Sequence, residues 1–181
     1  MIFGIFVWVV VMAITCNAFG QQGSNWMVFD LGDPPLHISL PGVPEPMETQ
    51  IQPSMLDIMQ AYYAYSYESA DHLLFVMLLQ TSYAQHIHPD LNLITDQTIR
   101  DLESHGALKV KYTSSSSEVE KKKGVKQKGT LDMKGEAMDF TATIISDVSN
   151  VWKVIVCTKV GEASATKAGQ AVVSSMTFKG K

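Results

Sequence analysis

The stretch "HLLFVMLLQ", residues 72–80, constrains this chain more than any other. Leu73 to Leu79 are seven apolar side chains in a row. Successive side chains of a strand point to opposite faces of its sheet. A strand written this way therefore needs apolar cover on both sides, which makes it a central strand. The run is short and lies between turn-forming stretches, so strand is read in preference to helix. A chain that owns such a strand must build layers above and below its sheet.

The neighbouring segments supply the rest of a sheet. "NWMVFDLG" and "LHISL" alternate around the turn Gly32–Pro35 and read as a hairpin. Pro41 and Gly42 end it, because proline cannot donate to a ladder and glycine permits a sharp redirection. "YYAYSYE" is the expected partner of the apolar run, and "SMLDIMQAYY" has room for a helical turn. "LNLITDQTIRDLESHG" is the clearest helix. Leu91, Ile94, Thr98 and Leu102 share one face, Pro89 and Asp90 suit the entry, and Gly106 suits the exit. "ALKVKYTSSSSEVE" begins as a strand and turns polar, and "KKKGVKQKG" reads as a basic turn. "TLDMKGEAMDFTATIIS" reads as two strands, with Met138, Phe140, Ala142 and Ile144 on one face. "NVWKVIVCTKV" is another strand, and "EASATKAGQAVVSS" a helix whose small residues let it lie close on a sheet. Hairpin connections imply antiparallel pairing. The expected fold class is α+β: an antiparallel β-sheet covered by helices on both faces, an α/β/α sandwich.

The chain has 181 residues, and its first twenty, "MIFGIFVWVVVMAITCNAFG", carry no charge. Ala18 and Gly20 offer small residues at a cleavage site before Gln21. Residues 1–20 therefore read as a secretory signal peptide and residues 21–181 as a single domain, placed outside the cytoplasm, secreted or periplasmic. The alternatives are retention of the segment as a membrane anchor or lipidation at Cys16, the only routes to a membrane that the sequence offers. With cleavage only Cys157 remains of the two cysteines, in a strand-like run that suits a small buried hydrophobe. All 14 basic residues fall at or after Arg100, and the first 99 residues hold nine acids. An N-terminal half without a base argues against a nucleic-acid partner.

The order of elements, the Pro-Gly exit in "ISLPGVPEP", the helix "LNLITDQTIRDLESHG", and the closing "AGQAVVSSMTF" together resemble the PsbP-like fold family of secreted or lumenal domains. The resemblance covers nearly all of residues 26–179. It implies the same helix-covered sandwich and a role in binding without catalysis. It carries over no functional residue.

Three groups of side chains are candidates for a site. Tyr63, Tyr65 and Tyr67 share one strand face, where they would stack on a ligand or pack across strands. His86 and His88 form an H-x-H pair whose third metal ligand would be Asp90, although Asp90 equally suits a helix cap. Lys121, Lys122, Lys123, Lys126 and Lys128 form the basic run, fit for an anionic surface or an acidic partner, or for a solvated hairpin tip. No nucleophile elbow, phosphate loop or H-E-x-x-H motif is written in the chain. The chain is thus read as a non-catalytic binding or accessory protein with no cofactor, its partner an unidentified protein or envelope component. A metal-dependent hydrolase using His86, His88 and Asp90 and an envelope lipid-binding protein are the alternatives.

Overall fold

In the computed structural model, which describes residues 26–49, 51 and 53–179, the apolar run forms most of β5 (Leu74–Tyr83). Strand β5 pairs with β4 (Met59–Glu68) on one side and with β9 (Asn150–Lys159) on the other. Beyond β9 come β8 (Glu136–Asp147), β7 (Lys122–Met133) and β6 (Ala107–Val119). The two-residue β3 (Glu45–Pro46) closes the far side, so the seven strands run in the order β3-β4-β5-β9-β8-β7-β6 with antiparallel pairing throughout. Leu74, Val76, Met77, Leu78 and Leu79 are at most 3% exposed, so this strand is shielded on both faces.

Parity divides the core in two. Val76, Leu78, Trp152, Val154 and Val156 face one side, where they meet Leu31, Leu36, Ile38 and Leu40 and the helix residue Val172. Met77, Leu79, Phe140, Ala142, Ile155 and Cys157 face the other side, where they meet Leu102. Leu102 belongs to α2 (Leu91–Ser104), which buries Ile94, Thr95, Thr98 and Leu102, spaced three and four residues apart on one helical face. Asp90 caps this helix by accepting from the Asn92 N–H at 2.8 Å. Lys153 of β9 reaches α2 through an ion pair with Asp101 at 2.7 Å. A four-residue helix, α1 (Pro53–Leu56), precedes β4.

This architecture corrects the helix-covered α/β/α sandwich. The protein is mostly β, and the first hairpin, β1 (Met27–Leu31) with β2 (Leu36–Leu40), is a separate two-stranded sheet laid over the large one. It shares that face with α3 (Ala163–Ser174). The cover on this side is thus largely strand. The physical reason is that Leu31, Leu36, Ile38 and Leu40 bury completely whether a hairpin joins a sheet edge or lies across its face. Local alternation cannot separate the two. Long-range hydrogen bonds do: Trp152 Nε1 donates to the Pro34 carbonyl at 3.2 Å and Gln80 Nε2 to the Asp33 carbonyl at 3.4 Å. At the open end His37 and Thr177 exchange backbone bonds of 2.8 and 3.1 Å.

Two further expectations change. All of "KKKGVKQKG" after Lys121 is the first part of a 12-residue strand, and the serine run is the middle of a 13-residue one. Val125, Gln127, Leu131 and Met133 of β7 share one face, which supplies a period-two pattern that the lysines and glycines obscure. Gly129 is required there, since a Cβ would collide with the Lys111 carbonyl oxygen of β6. The leader assigned to residues 1–20, including Cys16, lies outside the described residues. Among the described residues no helix is long and apolar enough to cross a membrane.

Candidate functional site

Helix α3 is held tight against β9 by a small residue. A Cβ on Gly169 would stand 2.8 Å from Thr158 Cγ2 and 3.0 Å from Val156 Cγ1. Hairpin and helix together cover β4, β5 and β9 on this face, and at one end Ile145 of β8 and Val119 of β6 join the same cluster. Past α3, among the described residues, the same face of β8, β7 and β6 forms a floor on which Asp139, Lys128, Thr130, Thr113 and Ser115 are exposed, while Thr143 and Ile145 stay buried. Where helix and floor meet there is a cleft of about 490 Å³, within the size range of small-molecule sites.

Pairing register determines what the floor presents. On β7 the residues on this face are Lys126, Lys128 and Thr130; opposite them on β8 stand Thr143, Thr141 and Asp139. Lys126, Lys128, Thr130, Thr141 and Asp139 line the cleft, and Gln170 lines it from the α3 side. Among the described residues neither lysine has an ion-pair partner. Thr143 is 3% exposed, and its hydroxyl has no hydrogen-bond partner there. The cleft thus offers two ammonium groups, several hydroxyls, an amide and one carboxylate beside the apolar Phe140, Val156 and Val173. Such a set binds and orients a polar ligand through many directional contacts.

The basic run is divided by the fold. Lys126 and Lys128 stand in the cleft, whereas Lys121, Lys122 and Lys123 lie around the β6–β7 turn. Lys122 pairs with Asp147, and its ammonium lies 5.0 Å from the Phe178 ring centroid and 6.0 Å from that of Trp152. A second, more open depression joins these three lysines to Asp90, Glu120 and Asp147, which largely balance them. Glu120 accepts from the Thr177 hydroxyl at 2.6 Å and from the Phe178 N–H at 2.8 Å. Those two bonds hold its carboxyl below the usual carboxylate range.

The tyrosines pack against the core from its margin. Tyr63, Tyr65 and Tyr67 lie under the β1–β2 hairpin, half-buried against the first core cluster. Tyr65 meets Phe29 edge to face with ring centroids 4.9 Å apart, and burial pushes the Tyr65 and Tyr67 hydroxyls up. Tyr67 also explains the Pro-Gly exit: a Cβ at position 42 would stand 2.6 Å from its ring. His86 and His88 are exposed in the loop after β5, while Asp90 spends its carboxylate on the α2 cap. Among the described residues no three histidine, cysteine, aspartate or glutamate side chains are grouped as metal ligands. Sequence reasoning passed over Thr130, Asp139, Thr141 and Gln170. The signal was the reverse of the apolar alternation in β8, which leaves Asp139, Thr141 and Thr143 together on the other face.

The fold and cleft define a class: an antiparallel β-sheet protein with a cleft of mixed polar and apolar lining between one helix and its sheet. No family model matches the chain, and no curated protein matches it in sequence. Among solved structures it is similar to LpqN of Mycobacterium tuberculosis, described as involved in cell envelope biogenesis. The TM-score is 0.49 at 10% identity, over 78% of this chain and 82% of that one. It is also similar to PA94 of Pseudomonas aeruginosa, a protein of unknown function, with a TM-score of 0.42 at 10% identity over 80% of this chain and 90% of that one. These likenesses define no family, and the PsbP-like resemblance draws no support from the family models.

Proposed function

We propose that the chain is an extracytoplasmic, non-catalytic binding protein that holds an acidic sugar in the cleft beside α3. The observation that carries this reading is the pair Lys126 and Lys128. They sit two residues apart on one strand face, without ion-pair partners among the described residues, in a cleft that also holds threonine hydroxyls, Gln170 and the Asp139 carboxylate over an apolar base of Phe140, Val156 and Val173. An acidic sugar matches that lining: its carboxylate or phosphate answers the lysines, and its hydroxyls answer the threonines and Gln170. Extracytoplasmic placement is supported by the uncharged, apolar composition of residues 1–20.

Calorimetric titration with uronic-acid and sugar-phosphate oligosaccharides, against their neutral counterparts, tests the reading. Acidic ligands are expected to bind and to weaken with added salt, as exposed charge interactions do. Lys126→Gln/Lys128→Gln is expected to weaken binding at least tenfold, on the order of 1.4 kcal/mol. Equal binding of neutral sugars, or an unaffected double variant, overturns it.

A further inference from the structure

The two edges of the large sheet are finished differently. β3 is two residues long and contains Pro46, which blunts its edge. β6 is 13 residues long, and among the described residues no strand pairs with its outer side. A bulge between Leu108 and Lys111 disrupts its beginning, but Lys111–Val119 is regular, paired residue by residue with β7 from Thr130 to Lys122. Within it Tyr112 to Ser117 contains no charge and no proline. Lys111 to Ser116 are all exposed. The lysines of β7 do not guard this edge, since they sit one strand inward. Nine regular residues of free edge, roughly 30 Å of unpaired backbone, are a template for another strand.

We propose that β6 pairs antiparallel with β6 of a second copy of this chain, on a two-fold axis through Ser115. The sequence of the edge selects this occupant. A two-fold perpendicular to the sheet keeps each face continuous, so only residues of the same parity stand opposite each other. The midpoint of the regular stretch is Ser115, and centring there pairs all nine positions. Thr113 then faces Ser117, Ser114 faces Ser116, Tyr112 faces Glu118 and Lys111 faces Val119. Hydroxyl meets hydroxyl, which favours cross-strand pairing, and no like charges are opposed. The joined sheet brings two open floors together. Six strands, β8, β7 and β6 from each copy, lie between the two β9 strands that carry the α3 helices, which places those strands roughly 33 Å apart at the usual strand spacing. Lys111, Lys126 and Lys128 of both copies face the same side of that basin. The pairing does not rest on the acidic-sugar reading, and a monomer that still binds acidic sugars sinks the pairing alone.

Light scattering on the purified protein at micromolar concentration is expected to return the mass of two chains. Ser115→Glu, which sets two carboxylates against each other at the axis, is expected to return one folded chain that still melts cooperatively, at a temperature lowered by the loss of association. In a Cys16→Ser background, Ser115→Cys is expected to form a disulfide-linked dimer under mild oxidation. Thr113→Cys and Ser117→Cys are expected to cross-link far better when mixed than alone. A one-chain mass for the unaltered protein overturns the proposal. So does a dimer that persists in Ser115→Glu, or a Ser115→Cys protein that stays uncross-linked.

Discussion

Asp101→Ala tests how α2 is fastened to the sheet. Asp101 Oδ2 accepts from Lys153 Nζ at 2.7 Å, and the Lys153 and Asp101 side chains are 11% and 21% exposed. Lys153 projects from the central strand β9 into the space under α2. Removing the carboxylate strands an ammonium there. Breaking a buried pair from one side costs about 3–5 kcal/mol, and access of water to the vacated position lowers the expectation to about 2–3 kcal/mol. For a domain of this size that is a fall in Tm of about 5–10 °C. Lys153→Met is expected to cost less, about 1 kcal/mol. It leaves Asp101 at the wetter end of the pair, still accepting from Gln97 Nε2 at 2.9 Å. Asp101→Leu/Lys153→Met removes both charges and is expected to recover most of the loss, because an apolar pair of similar volume replaces a desolvated one. Urea unfolding of the unaltered protein, Asp101→Ala, Lys153→Met and Asp101→Ala/Lys153→Met closes the cycle, and a coupling of at least about 1 kcal/mol is expected. An Asp101→Ala loss under about 0.5 kcal/mol, or strict additivity, refutes the reasoning.

Two other expectations follow from close approaches and burial. Gly169→Ala gains up to about 1 kcal/mol of helix propensity but drives a methyl into Thr158 and Val156, at about 1–3 kcal/mol of overpacking. The neighbours are stiff β-branched side chains on a central strand, so a net loss of stability is expected by thermal melt, and a gain would show that α3 has room. The Cys157 thiol is pushed up to about 12 by burial. In a Cys16→Ser background it is expected to resist an aromatic disulfide reagent at pH 8 in the native protein and to react fully in denaturant. Native reaction at the rate of a free cysteine would place it at the surface.

Much of the secondary structure was written locally. The α2 helix declared itself through its cap at Asp90, its Ile94–Thr98–Leu102 face and the exit at Gly106, because these signals act within a turn or two of chain. The β4–β5 hairpin and the doubly buried strand were equally legible. Strand β7 was not, because its buried face includes a glutamine and a glycine and its other face is lysine-rich. The cleft was illegible for a different reason. Lys126, Asp139 and Gln170 are distant in sequence, and their facing depends on the register of β7 against β8 and on where α3 lands.

By itself the sequence determined that an antiparallel sheet would form around Leu73–Leu79 with shielding on both faces, since side-chain direction in a strand is a property of the local backbone. Tertiary structure alone decided that the first hairpin lies across the sheet, where α3 lands beside the cleft, and that among the described residues the outer side of β6 has no partner strand. A hairpin buries the same leucines in either position. The choice is made by contacts such as Trp152 with Pro34 and Gln80 with Asp33, between residues far apart along the chain.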